Sequence, residues 1–156
     1  MADAKADYHS QTHDGAKVKQ YAQKFVSDDG KQNGLYWVAS GNHPESPLGP
    51  LAAAASAEGY FKSPQTPQPF HGYFFRILTK QGNEAPGGAE EYVVNGNMTG
   101  GFAILAYPAE YRNSGVVSFL ISRYGVVFQS DLGAQTTEAA KALTAFNPDS
   151  SWRAVE

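Results

Sequence analysis

The chain has 156 residues, 42% of them hydrophobic, and a formal net charge of −3. That is enough apolar material for one ordinary core, so a single domain over 1–156 is expected, and the acidic balance leaves no basic footprint for nucleic acid. The absence of cysteine excludes a thiol nucleophile, a thiolate metal site and a disulfide framework.

No apolar stretch approaches the roughly 18 residues that cross a bilayer. No positively charged start leads into an apolar run either, so neither a transmembrane segment nor a signal peptide is expected in this chain. The opening Met1-Ala2-Asp3-Ala4-Lys5-Ala6 reads as the start of a processed fragment.

In chain order, residues 7–26 read as a helical lead in two pieces. Tyr21, Ala22, Phe25 and Val26 form its narrow apolar stripe, Asp14 serves as N-cap of the second piece, and Asp29-Gly30 ends it. Asn33-Gly34 then turns the chain into the extended, aromatic Leu35-Tyr36-Trp37-Val38. Leu51–Glu58 is a short alanine-rich helix stopped by Gly59. Pro64, Pro67 and Pro69 hold the next stretch extended as a stiff lead-in.

Residues 70–133 carry the sheet core. Phe70–Leu78, Gly100–Pro108 and the two arms of a Gly115–Phe128 hairpin turning at Arg123-Tyr124-Gly125 give four antiparallel strands. In the first strand Tyr73, Phe75 and Ile77 share one face, and Phe74, Arg76 and Leu78 the other. The second is apolar on both faces, which marks a central strand needing cover on each side. A C-terminal helix over 135–146 completes the pattern. The expected class is α+β, with the N-terminal helix packed on a four-stranded antiparallel sheet.

Candidate chemistry is thin. His71 opens the first strand; as a general base it needs a nucleophile and an orienting carboxylate, for which Glu91 is available, and Arg76 supplies a cation. No serine sits in a nucleophile-elbow context. Arg76, amid apolar neighbours, is expected to pair with Glu90, Glu91 or Glu110. His9 and His13 stand four apart, a spacing that presents two imidazoles to one metal on a helix face. Tyr36, Trp37, Tyr60 and Phe61 flank the proline-rich segment as a core group or a recognition groove. Gly100-Gly101 lacks the lysine and following helix of a phosphate loop, and reads instead as a bulge or a close backbone approach at a strand entry. No cofactor is expected.

Read together, Gly34-Leu35-Tyr36-Trp37, Ser46-Pro47-Leu48-Gly49-Pro50-Leu51, His71–Thr79, Tyr92-Val93-Val94-Asn95-Gly96, Met98–Ala103, Pro108-Ala109-Glu110-Tyr111 and Asp131-Leu132-Gly133 stand in a characteristic order. They resemble an uncharacterised family of exported bacterial proteins, a domain of unknown function, over about Tyr8 to Trp152. The resemblance implies longer members with a signal peptide and an added N-terminal region, this chain corresponding to their C-terminal half. It also implies a periplasmic or extracellular location. The order of elements is similar, in addition, to the globular part of type IV pilins and pseudopilins, which implies a helix against an antiparallel sheet. The function expected on these grounds is a non-catalytic binding or assembly module of the bacterial cell envelope. Its partner would be an envelope protein or a second copy. The alternative is a hydrolase-like enzyme using His71 with a nearby carboxylate.

Overall fold

The computed structural model describes residues 2–11, 13–14, 17–28, 31–37 and 72–155. The alanine-rich helix expected at 51–58, the proline-rich lead-in, and Tyr60, Phe61 and His71 lie outside the described residues. The centre of the molecule is strand β8 (Ala103–Pro108). It has β3 (Tyr73–Leu78) on one side and β9 (Ser118–Ser122) on the other. β10 (Val127–Ser130) and β11 (Arg153–Ala154) extend the sheet beyond β9, and all the pairings are antiparallel. The ladder sets Leu78 opposite Ala103 and Phe74 opposite Tyr107, then Leu105 opposite Leu120.

Among the described residues the sheet therefore has five strands, and the expectation of four is corrected by β11. Two residues cannot carry a readable alternation, so that strand has no sequence signal. The expected hairpin is present, with Gly125 at φ 80 in its turn. The apolar middle strand is central, as its two apolar faces require.

Strand alternation sorts the sheet into two faces. Phe74, Arg76, Leu78, Leu105, Tyr107, Leu120 and Phe128 share one face. Helix α2 (Thr136–Ala142) contacts β8 and receives the Arg76 guanidinium at its C-terminal end. Phe128 meets Phe146 edge-on at 5.9 Å, extending the cover beyond the helix. Leu105 and Leu120 are fully buried, each contributing on the order of 1.5–3 kcal/mol by leaving water. On the opposite face Ile77 and Ile104 are buried, while Tyr73, Phe75, Phe119, Ile121 and Val127 are half-buried.

The N-terminal part departs from the helical lead expected over 7–26. Helix α1 covers Ala2–His9, and Lys24–Val26 is strand β1, paired parallel with β2 (Gly34–Tyr36). The apolar stripe supplies pairing and core residues instead, with Ala22 and Phe25 buried. Asp14 is not an N-cap: it sits at φ 52, and its carboxylate accepts the backbone N–H of Gln32. Nor does α1 lie along the five-stranded sheet in pilin fashion. It packs beside β2, and its buried Lys5 reaches the Ala22 carbonyl, with Met98 Sδ at 3.7 Å and the Phe102 ring at 5.7 Å. Among the described residues, α2 is the helix packed on β8.

Two further short strand pairs follow among the described residues. β4 (Lys80–Gln81) pairs with β5 (Glu90–Glu91). β6 (Val93–Val94) and β7 (Asn97–Met98) form a hairpin whose turn residues, Asn95 and Gly96, both have positive φ. That is the turn whose twist matches flanking strands, and Asn-Gly is its preferred sequence. After α2 the chain returns to β4, where Gly82 N–H donates to Phe146 O and Phe146 N–H donates to Lys80 O.

Candidate functional site

Most side chains with chemical potential are committed to holding segments together. Arg76 does not pair with Glu90, Glu91 or Glu110. It lies on the α2 face of β3 and donates to the carbonyl of Ala140, which also accepts the Leu143 N–H, and to that of Leu143 (2.9 Å), just past the helix. Glu91 is exposed on β5, opposite Lys80 in the ladder. The carboxylate and the guanidinium are thus on separate elements with separate tasks.

The two N-terminal histidines go to different partners. His9 stacks on Tyr21 at 4.2 Å. His13 stacks on Tyr8 at 3.9 Å and lies 5.8 Å from Trp37. Its Nε2 faces the Tyr8 carbonyl at 3.0 Å and its Nδ1 faces Gln32 Oε1 at 3.1 Å. Because a carbonyl only accepts, Nε2 carries a proton. Among the described residues no group of three His, Asp or Glu side chains is placed to hold a metal ion.

The same latch collects part of the expected aromatic group. Trp37 is buried, and Tyr8 lies edge-on to it at 6.5 Å. Tyr36 is half-buried on β2. Tyr8 Oη donates to the Gln32 carbonyl, and burial, aided by the Asp14 charge, pushes its pKa up to about 12. Trp37 is therefore part of the joint between α1 and β2.

A different surface stands out at the β9–β10 turn, and the sequence reading took it for a turn alone. Tyr124 is 49% exposed, Val126 45% and Val155 43%, and Val155 N–H bonds to Val127 O, so the three gather at one end of the sheet. Arg123 is exposed beside them. Its guanidinium lies 5.0 Å from the Tyr124 ring centre and donates to Tyr124 Oη at 3.0 Å. That hydrogen bond, with the charge of Glu90 nearby, raises the Arg123 pKa above its ordinary value.

Gly101 makes this arrangement possible. It sits at φ 144, and a Cβ there would come within 3.2 Å of both Arg123 Cδ and Tyr92 Cε1. The close approach expected at Gly100-Gly101 is thus present. Its beneficiaries are the Arg123 stem and the buried Tyr92 ring, whose hydroxyl donates to Gln81 at 3.0 Å. Burial pushes the Tyr92 phenol up to about 12. Gln81, also buried, donates onward to the carbonyls of Pro86 and Gly88 and so fixes the 82–89 loop.

Chemically, the turn offers a guanidinium, a phenol and aliphatic surface, with no base directed at a nucleophile. Arg and Tyr are residues that dominate binding energy when a partner covers them. The signal available in the sequence was the combination of Arg and Tyr at a hairpin tip flanked by valines.

Residues 1–155 match the model of a family described as a protein of unknown function, DUF2950. No curated protein and no solved structure matches the chain. Among the described residues no helix is long and apolar enough to cross a membrane.

Proposed function

We propose that this chain, which belongs to the DUF2950 family of unknown function, is a non-catalytic binding or assembly module of the bacterial cell envelope, periplasmic or extracellular. The observation that carries this reading is the exposed Arg123–Tyr124–Val126–Val155 surface. Meanwhile, among the described residues, Arg76, His13 and Gln81 are occupied in joining backbone segments. The partner that fits is an envelope protein with a carboxylate for Arg123 beside apolar side chains for Tyr124 and the valines. The envelope location rests on the resemblance to exported proteins.

The His9 and His13 pair has no metal role in this reading, because His13 holds both ring nitrogens against Gln32 and Tyr8. Cell fractionation and mild crosslinking in the intact envelope test the proposal together. The expected result is an envelope-associated protein crosslinked to one stoichiometric partner. A cytoplasmic pool carrying no crosslinks overturns it.

A further inference from the structure

Two Asn-Gly pairs, Asn33-Gly34 and Asn95-Gly96, occur in the described residues, and they have opposite surroundings. In such a pair the following backbone nitrogen, once deprotonated, can attack the asparagine Cγ. The new N–C bond closes a succinimide and ammonia leaves. Water then opens the ring at either carbonyl, giving aspartate or isoaspartate. Glycine at the second position removes the Cβ that would hinder ring closure.

The first pair is locked. Asn33 Oδ1 accepts the Asp28 N–H at 2.9 Å, and its Nδ2 donates to Asp28 Oδ2 at 2.8 Å. The attacking atom, Gly34 N, donates its hydrogen to Ser27 Oγ at 2.9 Å, and Gly34 is buried. Ring closure there requires all three bonds to open at once. The second pair is open. Asn95 and Gly96 are exposed at the tip of the β6–β7 hairpin, and neither the Asn95 side chain nor the Gly96 N–H has a hydrogen-bond partner among the described residues.

The structure assigns Asn95 as a site of spontaneous self-modification, with water as the only co-reactant, while Asn33 is protected by the fold. The consequence reaches beyond the turn. Gln23 Nε2 donates to Gly96 O at 2.8 Å, and Gln20 bridges to Asn97 Oδ1 and the Met98 N–H, both at 3.1 Å. Isoaspartate lengthens the main chain inside a turn that needs positive φ at two adjacent residues. The turn that anchors Gln20 and Gln23 would then come apart.

The test is a timed incubation of the folded protein at mildly alkaline pH, with peptide mapping by mass spectrometry and a denatured sample alongside. In the denatured chain both asparagines convert at similar rates. In the folded chain Asn95 converts about tenfold or more faster than Asn33, because only Asn33 must wait for local opening. An Asn95→Gln variant loses the fast conversion and retains the slow one. Equal rates in the folded chain, or an Asn95 that stays an amide while the denatured control converts, overturns the assignment.

Discussion

Arg76 on the edge strand β3 and Leu143 just past helix α2 are joined by a 2.9 Å hydrogen bond from guanidinium to carbonyl. With the companion bond to Ala140 O, which also accepts the Leu143 N–H, one side chain ties two carbonyls at the end of the helix. It also places a cation where the helix dipole is negative. Replacing Arg76 by Met leaves those carbonyls without the donor. We expect a loss of about 1–3 kcal/mol in denaturant unfolding, with partial recovery in Arg76→Lys. A cation kept for ligand binding would leave stability unchanged on removal.

Ser118 presents the opposite case. It is fully buried on β9, opposite Ser130, and its hydroxyl has no hydrogen-bond partner among the described residues. A buried, unpaired hydroxyl costs about 1–3 kcal/mol of desolvation. Ser118→Ala removes that cost for a small loss of contact, so the variant should equal or exceed the parent stability by up to roughly 1 kcal/mol. A clear destabilisation in the same unfolding assay would show that the hydroxyl is paired.

Gly101→Ala should be costly for two separate reasons. Its backbone at φ 144 disfavours any side chain, and the new methyl would press on the Arg123 stem and the Tyr92 ring, both 3.2 Å away. We expect a loss of about 1–3 kcal/mol. Displacement of Arg123 should also change the fluorescence of Tyr124, which rules out a purely local effect.

Alkali should weaken the fold, because the fold keeps two phenols protonated that the unfolded chain ionises. The phenols of Tyr8 and Tyr92 ionise near 10 when unfolded and near about 12 when buried in the fold. Between those values the unfolded state sheds protons that the folded state keeps, so stability falls as pH rises. The burial contribution is intact below about pH 10 and is lost progressively from 10 to 12. Urea midpoints across pH 8–12, compared with Tyr92→Phe, check this; the variant should show the shallower decline.

The sheet was legible in the sequence because β3, β8, β9 and β10 carry alternating or continuous apolar residues bounded by glycines. Arg76 in β3 was legible as unusual, but its partner was not, since a strand sequence does not reveal which helix end will lie across it. Lys24–Val26 was misread because Tyr21, Ala22 and Phe25 fit a helical stripe as well as they fit a loop leading into a strand. Tertiary pairing with Gly34–Tyr36 decided the matter. Asp14 looked like a helix cap because Asp-Gly has that meaning locally; its true acceptor role depends on Gln32, 18 residues away. The Arg123–Tyr124 surface escaped notice because a hairpin tip announces itself first as a turn.

Paired capture shows whether the β9–β10 turn is a binding surface. Parent protein and a Tyr124→Ala, Val126→Asp double variant, shown to unfold alike, would each be crosslinked in a bacterial envelope extract. Both substituted positions are exposed, so the fold should survive. The account predicts one stoichiometric protein recovered with the parent and lost with the variant. Recovery of the bait alone, or the same partner with both proteins, would contradict it.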